Sequence, residues 1–347
     1  MSEARAYASA SPTTPLAPRR ISRREPGPLD VAIDIAYCGI CHSDIHTVRG
    51  EWGPGAYPIV PGHEIVGRVS RVGKRVKKFK IGDLAGVGCM VDSCRKCANC
   101  RRGMEQHCLG RLSFTYNAVE QDGVTRTQGG YSSHIVVDEA FTLKVKSGQP
   151  LERVAPLLCA GITTYSPLKR HGVKKGTRVG VLGLGGLGHM AVKLAAAMGA
   201  TVTALSGSES KRPDAKKLGA SSFALTKDPA VMAALAGTLD LIIDTVSGDH
   251  DVNSMVGLLT TGGTLVMVGA SPRPHAVGSF PLIFGRRAIE GSLIGGIKET
   301  QEMLDFCAKK KVFADVEVIA AKDINAAYER VLKSDVRYRF SIDCSTL

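Results

Sequence analysis

The sequence lacks several features that would place it in special classes of protein. No apolar run approaches the ~18 residues of a transmembrane helix. Residues 1–18 are rich in Ala, Ser and Pro and lack the apolar segment of a secretory signal peptide. There are no internal repeats or long linkers. We therefore expect a cytoplasmic location and no membrane partner, and we do not expect the ten cysteines of this 347-residue chain to form a secreted disulfide scaffold.

The sequence also has few acidic residues relative to basic ones and few aromatic residues. There are 32 Asp and Glu against 45 Lys and Arg, which gives a formal net charge of +13, and aromatic residues make up only 5% of the chain. A basic protein can bind nucleic acid or an acidic partner. The basic residues are spread over unrelated segments such as 19–24 and 74–80, however, with few aromatic residues among them. We interpret the charge as solvated surface and expect no nucleic-acid partner.

The first part of the chain has the alternation of β-structure. Apolar and polar residues alternate at 29–37, 65–72 and around 130–137, which predicts half-buried strands. The segment 38–61 is rich in Gly and Pro and is predicted to be a loop, the usual carrier of site residues. Residues 1–20 give no clean first strand, and their structure and role stay open.

From about residue 150, short apolar runs alternate with amphipathic helical stretches. This βαβ series predicts an α/β protein with a doubly wound parallel sheet. The predicted strands of the series are 178–182, 201–205, 239–244 and 263–268, and the predicted helices are 189–198, 211–218 and 229–235. After the series, the chain is expected to return to the first domain. The predicted segments are 1–149, 150–287 and 288–347.

Two thiols and an imidazole form a candidate catalytic metal site. His63 follows a Pro-rich turn, Cys41 lies about twenty residues upstream, and Cys159 lies far downstream. A lone His in such a place is usually structural, but two thiolates and one imidazole form a set that suits zinc. Three protein ligands leave one coordination position open, which is typical of catalytic zinc. The two thiolates also cancel the charge of the metal, so direct coordination would stabilise a developing alkoxide.

The spacing Cys94-x2-Cys97-x2-Cys100-x7-Cys108 is the most specific pattern in the sequence. Four thiolates so close together can surround one tetrahedral ion and exclude water, which predicts a structural zinc in a lobe spanning 89–110. A ferredoxin-type cluster would continue with Cys at position 104, where the chain has Met. A redox dithiol would need only one Cys-x-x-Cys pair. Two zinc ions per chain are therefore expected, one catalytic and one structural.

A glycine-rich turn, Gly183-x-Gly185-x-x-Gly188, lies directly between a predicted strand and a predicted helix. The motif alone is weak, but this context supports dinucleotide binding. The glycines permit a tight turn and a close approach of the backbone to a pyrophosphate, which rests on the helix N-terminus.

The end of the second predicted strand indicates which dinucleotide is bound. An NAD site normally presents Asp or Glu there to the ribose 2′-hydroxyl. This chain has Ser206-Gly-Ser208 instead, followed by Lys211 and Arg212. Hydroxyls and cations suit a 2′-phosphate, so NADP(H) is predicted. The alternative is that Glu209 turns back to accept from the ribose.

Together, these pieces resemble the zinc-dependent medium-chain alcohol dehydrogenases. The resemblance is closest to the cinnamyl-alcohol-dehydrogenase-like branch, with its bacterial NADP-dependent aldehyde reductases, and extends from about Arg23 to the C-terminus. It implies a GroES-like β-rich catalytic domain interrupted by a Rossmann domain, and commonly a homodimer. It also implies hydride transfer between NADPH and the carbonyl of an apolar aldehyde, aromatic or medium aliphatic. The motifs that carry it are Cys-Gly-Ile-Cys-His-Ser-Asp44, Glu51-Trp52, Pro61-Gly-His-Glu64, the four-Cys lobe, Leu158-Cys-Ala-Gly-Ile-Thr-Thr-Tyr-Ser-Pro167, Gly183–Gly188 and Tyr338-Arg-Phe340.

The resemblance implies roles for single residues at the metal. It assigns the first ligand to Cys41 rather than Cys38, together with His63 and Cys159. Asp44 is expected to accept a hydrogen bond from His63 and so to set the tautomer of its ring.

Further roles follow from the same resemblance. Glu64 is expected to lie beside the metal, and whether it ever ligates zinc stays open. Ser43 and His46 match a proton relay from the substrate oxygen to solvent. The matching cofactor positions are Thr163, Gly183, Gly185, Gly186, Leu187, Gly188, Ser206, Gly207, Ser208, Lys211, Thr245, Val268 and Gly269. The positions where the family lines its substrate pocket are Thr47, Trp52, Cys89, Leu293 and Ile294, although Trp52 could equally belong to the core.

Two other functions compete with this prediction. A zinc-free quinone or enoyl reductase of the same superfamily would lack the Cys41, His63 and Cys159 set. A zinc-ribbon nucleic-acid-binding protein would explain the charge and the four-Cys lobe, but it would not explain the glycine turn or the βαβ series. The physiological aldehyde and the direction of the reaction in the cell stay open.

Overall fold

A computed structural model describes all residues, 1–347, and they form two units. One unit comprises Met1–Cys159 and Gly295–Leu347, and the other comprises Ala160–Ile294. The sequence-based segments change over slightly earlier, after residues 149 and 287. None of the helices combines the length and the apolar character needed to cross a membrane.

The elements are numbered in chain order. The strands are β1 (Ser2–Ala8), β2 (Ala17–Arg23), β3 (Asp30–Ile40), β4 (Ile65–Val72), β5 (Leu84–Val87), β6 (Met90–Asp92), β7 (Ser113–Phe114), β8 (His134–Asp138), β9 (Leu143–Lys144), β10 (Arg178–Leu182), β11 (Thr201–Ser206), β12 (Ser222–Leu225), β13 (Leu239–Asp244), β14 (Leu259–Met267), β15 (Ala288–Gly291), β16 (Val316–Ala320) and β17 (Arg339–Asp343). The α-helices are α1 (His42–Val48), α2 (Ala98–Arg101), α3 (Leu151–Val154), α4 (Ala160–Arg170), α5 (Gly188–Ala197), α6 (Arg212–Leu218), α7 (Pro229–Leu235), α8 (Val252–Gly257), α9 (Ser279–Gly285), α10 (Ile297–Lys310) and α11 (Ile324–Leu332).

The first unit is built on a seven-stranded sheet in the order β16-β17-β3-β4-β5-β9, with β8 also paired to β3. The C-terminal strand β17 runs antiparallel to β3, with Phe340 opposite Ile40. On the other side of β3, Cys38 is opposite Ile65 at the start of β4. The register therefore brings the residues just before β4, the residue after β3 and the first residue of β17 to one place in the sheet.

Two predictions for this unit need correction. Strand β3 was expected to be half-buried, but eight of its eleven residues are buried because it pairs with β4, β8 and β17. The segment 38–61 was expected to be a loop, but β3 continues to Ile40 and helix α1 follows. The signal for α1 lies in its capping: Asp44, three residues after the N-cap Cys41, accepts a hydrogen bond from the Cys41 N–H.

The sequence left the structure of the N-terminal residues open. They form the antiparallel pair β1 and β2. The side chains that β1 buries are Ala4, Ala6 and Ala8. Alanine is depleted in strands, so this alternation gave only a weak signal for β-structure.

The second unit is a six-stranded parallel sheet in the order β12-β11-β10-β13-β14-β15. This is the 3-2-1-4-5-6 order of a Rossmann fold, in which the order reverses between β10 and β13. The predicted fold class is confirmed. Strands β12 and β15 were missed because each has only four residues and no fully alternating pattern.

Candidate active site and cofactor site

The candidate catalytic metal ligands converge in the first unit. Cys41 follows β3, His63 and Glu64 precede β4, and Cys159 follows a 3-10 turn at 155–158. All four residues are buried, and their potential ligand atoms lie within 4.8 Å of one another. The sequence-predicted set is therefore brought together in one place, with Glu64 beside it.

The geometry of the two thiols fits zinc. A tetrahedral ion with Zn–S bonds of about 2.3 Å separates two sulfur ligands by about 3.8 Å. The Sγ atoms of Cys41 and Cys159 are 3.9 Å apart. A hydrogen bond with Cys159, assisted by the positive charge of Arg339, lowers the pKa of Cys41 well below its usual range. This environment favours a thiolate, the form that binds metal.

Asp44 is fully buried behind the candidate ligands and joins them through its carboxylate. Oδ1 accepts from His63 Nδ1 at 3.0 Å and from the Gly62 N–H at 3.1 Å. Oδ2 accepts from the Cys41 N–H at 2.9 Å and from the Tyr131 hydroxyl at 3.3 Å. Because Asp44 accepts at Nδ1, the other ring nitrogen of His63, Nε2, is left to face a metal.

Ser43 and Tyr116 also lie against the His63 ring. Ser43 Oγ is 3.4 Å from His63 Nε2, the nitrogen that would bind metal. The Tyr116 ring stacks on His63 at 5.8 Å, and its hydroxyl donates to the Ser43 carbonyl at 3.4 Å. Sequence reasoning missed Tyr116, because a single Tyr in a loop carries no signal for a site 53 residues upstream.

His46 lies one turn after Ser43 on α1, so the two side chains share one face of the helix. Its Nδ1 is hydrogen-bonded to the Glu51 carboxylate. Its ring is stacked between His42, at 4.7 Å, and Trp52, at 4.8 Å. Trp52 is 56% exposed, so the core alternative for this residue is wrong.

Glu64, beside the candidate metal site, is paired with a buried arginine. One of its oxygens forms a buried ion pair with Arg339 of β17, and the other has no hydrogen-bond partner. Burial raises the pKa of Glu64 to about 7, against the opposing effect of the Arg339 charge. Arg339 lies within the Tyr338-Arg-Phe340 motif that carried the resemblance, but the sequence alone did not assign it a place in the site.

The four cysteines of the second candidate site also converge. Cys94, Cys97, Cys100 and Cys108 have all their Sγ atoms within 4.8 Å of one another. Two of the distances, 3.9 Å from Cys94 to Cys100 and 3.5 Å from Cys97 to Cys100, are close to the spacing expected around tetrahedral zinc. Backbone N–H groups of Cys100 and Leu109 lower the pKa of Cys97 to about 6, which favours the thiolate. The donor set fits a closed structural zinc site.

The glycine turn of the second unit connects β10 to α5, as predicted. A side chain at Gly188 would overlap the Gly183 carbonyl, so the helix can begin this close to the strand only with glycine. Thr245 follows β13 and donates to the Leu182 carbonyl at 2.7 Å, beside the same turn. Val268 and Gly269 follow β14, Ser206 ends β11, and Thr163 lies in α4.

The residues after β11 have the predicted polar character. Ser206 Oγ accepts from the Ser208 N–H at 3.2 Å, and Ser208 and Ser210 share a hydrogen bond of 2.8 Å. Glu209, the alternative partner for a ribose, forms an exposed ion pair with Arg212 instead.

Four of the residues predicted to line the substrate pocket lie in different parts of the two units. Cys89 donates to the Leu158 carbonyl at 3.7 Å, next to the candidate ligand Cys159. Thr47 lies on α1, one position after His46. In the other unit, Leu293 is exposed and Ile294 is buried.

Comparisons with known proteins show which family the chain is similar to. Residues 27–147 match the family model described as alcohol dehydrogenase GroES-like domain, and residues 186–309 match that described as zinc-binding dehydrogenase. The chain is 56% identical to NADP-dependent alcohol dehydrogenase C 1 of Mycolicibacterium smegmatis, over all of this chain and 99% of the relative. Among solved structures it is similar to a cinnamyl alcohol dehydrogenase of Sorghum bicolor, with a TM-score of 0.96 and 45% identity, covering 99% of this chain and 98% of the other. The CAD of Helicobacter pylori, solved as a complex with NADP(H), gives a TM-score of 0.93 and 46% identity with the same coverage.

The full-length identity, both family models and the convergence of the predicted zinc ligands agree with one another. The chain belongs to the zinc-dependent medium-chain alcohol dehydrogenases, in their cinnamyl-alcohol-dehydrogenase-like branch.

Proposed function

We propose that this protein is an NADP(H)-dependent alcohol dehydrogenase that works as an aldehyde reductase on apolar aldehydes. The observation that carries the proposal is the buried set of Cys41, His63 and Cys159, with Ser43 Oγ 3.4 Å from the metal-facing nitrogen of His63. Three ligands suit a zinc ion with one open position, and a hydroxyl beside the metal-facing nitrogen could reach a substrate oxygen bound at that position.

When bound, zinc would supply a Lewis acid that polarises the aldehyde carbonyl, and NADPH would supply the hydride. The side chains of the protein handle the proton. Ser43 is placed to donate its hydroxyl proton to the oxygen of the reduced product. His46 lies one turn further along α1, is partly exposed and is paired with Glu51, so it can return a proton from solvent to the relay.

The choice of NADP(H) over NAD(H) is supported by the end of β11. Ser206 and Ser208 stand where NAD-binding folds carry a carboxylate, and Glu209 is engaged with Arg212. A 2′-phosphate would meet hydroxyls and nearby cations there, whereas a 2′-hydroxyl would lack an acidic acceptor. The relative from M. smegmatis is named as NADP-dependent, which agrees.

We propose two zinc ions per chain, one at each cluster. The catalytic ion would be held by Cys41, His63 and Cys159. The structural ion would be held by Cys94, Cys97, Cys100 and Cys108, where it would stabilise a short segment with few apolar side chains of its own.

One experiment tests the enzyme proposal. Purified protein is analysed for zinc per chain and assayed over a panel of aromatic and medium-chain aliphatic aldehydes with NADPH and with NADH. We expect two zinc ions and a higher kcat/KM with NADPH. A preference for NADH would refute the cofactor assignment. Reduction that persists after Cys159→Ser removes the catalytic zinc would refute the metal assignment.

We further propose a homodimer that forms through the second unit, and a cytoplasmic location. Strand β15 is the edge of its sheet, and the adjoining helix α9 exposes Phe280, Ile283 and Phe284 by 68, 66 and 82%. An open edge next to exposed aromatic side chains suits pairing with a second copy. All ten cysteines are unpaired thiols, which suits a reducing compartment. Light scattering of the wild type and of Phe284→Glu tests the dimer, and a monomeric wild type would refute it.

A further inference from the structure

A lysine outside the predicted cofactor motifs lies beside the loop that follows β11. Strands β11 and β12 are parallel neighbours, with Ser206 opposite Leu225, and the Thr226 N–H donates to the Ser206 carbonyl at 2.9 Å. The residues after β12 therefore run alongside the residues after β11. Thr226 and Lys227 come directly after β12, at the carboxyl edge of the sheet, where such folds bind their dinucleotide.

Gly207 leaves space between these two loops. A β-carbon placed on Gly207 would lie 3.5 Å from Lys227 Cε and 3.7 Å from Thr226 Oγ1. The lysine side chain therefore extends over the loop that carries Ser206 and Ser208. Because Cε bears the ammonium group, the positive charge of Lys227 lies close to that loop.

Lys227 has no charged partner within the protein. Its side chain is exposed, and its ammonium group forms no hydrogen bond or ion pair. The next residue, Asp228, is acidic, but its Oδ1 accepts from the Ala230 and Val231 N–H groups at the start of α7. The ammonium group of Lys227 is therefore available to an anion that binds at the carboxyl edge of the sheet.

The arginine that follows β11 is less available than this lysine. Arg212 is paired with Glu209, and its guanidinium lies over the Phe223 ring, 4.6 Å from the ring centroid. The carboxylate of Glu209 offsets the charge of Arg212. A phosphate monoester carries about 1.5–2 negative charges near neutral pH. A 2′-phosphate at this loop would therefore need more positive charge than Lys211 alone supplies.

We propose that Lys227 binds the 2′-phosphate of NADP(H) together with the residues after β11, and that it helps to determine the preference for this cofactor over NAD(H). The inference rests on the proposed function, because it concerns the same dinucleotide site. The ribose of NAD(H) carries an uncharged hydroxyl at this position and gains little from an added ammonium group. Lys227 therefore contributes to the affinity for one cofactor and not for the other.

The test uses ligands that differ by this one phosphate. The full-length, zinc-loaded protein is titrated by calorimetry with 2′,5′-ADP and with 5′-AMP, and then with NADPH and with NADH. Lys227→Met removes the charge and keeps an unbranched side chain, whereas Lys227→Arg retains the charge. Because binding is measured directly, the result does not depend on catalysis.

Lys174→Met is the matched control for the loss of an exposed lysine from the same unit. Lys174 precedes β10, so it lies at the amino edge of the parallel sheet, opposite the edge that carries Lys227. Its ammonium group also forms no ion pair. The control changes the net charge of the protein by the same amount and should leave the Kd for all four ligands unchanged.

We expect Lys227→Met to raise the Kd for 2′,5′-ADP and for NADPH by about tenfold, the lower end of what a hydrogen bond to a charged group contributes. The Kd for 5′-AMP and for NADH should not change, and Lys227→Arg should stay close to the wild type. Salt screens exposed charges, so the difference between wild type and Lys227→Met should narrow at about 1 M NaCl, where the Debye length is about 3 Å. Equal Kd values for 2′,5′-ADP in wild type and Lys227→Met would overturn the proposal. An equal loss of affinity for NADPH and NADH would also overturn it.

Failure of this proposal and failure of the proposed function are distinguishable. If the wild type binds NADH more tightly than NADPH, the cofactor assignment is wrong, and the role of Lys227 is refuted with it. If the wild type prefers 2′,5′-ADP to 5′-AMP and Lys227→Met does so equally, only the role of Lys227 is refuted.

Discussion

Replacing Asp44 with asparagine changes one atom in a fully buried group that accepts four hydrogen bonds. Oδ1 accepts from His63 and Gly62, and Oδ2 accepts from the Cys41 N–H and the Tyr131 hydroxyl. The side-chain amide of asparagine keeps only one of the two acceptor oxygens and replaces the other with an NH2 group. If its oxygen stays with His63 and Gly62, its NH2 group meets the Cys41 N–H, donor against donor. The tyrosine hydroxyl can rotate to accept, but a backbone N–H cannot.

The hydrogen bonds that Asp44 accepts determine how much stability and zinc affinity the substitution should remove. One buried donor left without a partner costs about 1–3 kcal/mol of unfolding free energy. The loss of the carboxylate behind His63 weakens metal binding further, since outer-shell changes typically cost 10–100-fold in metal affinity. That range corresponds to about 1.4–2.8 kcal/mol. We expect Asp44→Asn to fold, to retain the structural zinc and to bind the catalytic zinc at least tenfold more weakly.

The assay is zinc competition against a chelator dye, combined with urea unfolding of the metal-loaded and chelator-treated protein. Asp122→Asn is the matched control, because Asp122 is an exposed carboxylate that accepts only from Val124 and Thr125. Equal catalytic-zinc affinity in wild type and Asp44→Asn would refute the argument that this carboxylate orients His63. Loss of both zinc ions would show that the change unfolds the lobe and does not act locally.

Three further predictions concern separate parts of the molecule. Ser43→Ala should slow alcohol oxidation by about 100-fold or more, the usual size of a lost general acid–base step, while zinc stays bound; unchanged turnover in a steady-state assay would remove Ser43 from the relay. Cys97→Ser should lose one zinc per chain by metal analysis and lower the Tm by several degrees, because the 94–108 segment depends on its metal, and two retained zinc ions would contradict this. Burial raises the pKa of Cys307 to about 12, so at neutral pH this thiol should resist iodoacetamide in the native protein and react after unfolding; peptide mass spectrometry measures this, and labelling of the native thiol would contradict the burial argument.

The features that could be predicted from the sequence are those with a short, regular spacing. The four cysteines of 94–108 and the Gly183–Gly188 turn each lie within fifteen residues, and the chemistry of each requires that spacing. The strands β4, β10 and β13 were predicted with their observed bounds, since each is an uninterrupted alternating or apolar run. Helix α1 was missed because Gly and Pro around it outweighed a capping signal centred on a cysteine, which is not a usual N-cap residue.

The prediction that residues far apart in the chain form one site depended on the family resemblance. The structure shows why local residue patterns alone could not predict it. Cys159 lies 118 residues after Cys41, and no periodicity links the two. Tyr116 stacks on His63 from a loop without any motif. Arg339 reaches Glu64 across 275 residues of chain.

The sequence by itself determined the chemistry that is available: thiolates and imidazole for zinc, glycines for a dinucleotide, and hydroxyls in place of a ribose-binding acid. The tertiary structure alone decided which charges lie against one another. Strand register is a long-range property, and the pairing of β17 with β3 and of β3 with β4 sets Arg339, Cys41 and Glu64 side by side. Because a buried charge is tolerated only beside an opposite one, that register allows Glu64 to be buried in an ion pair with Arg339.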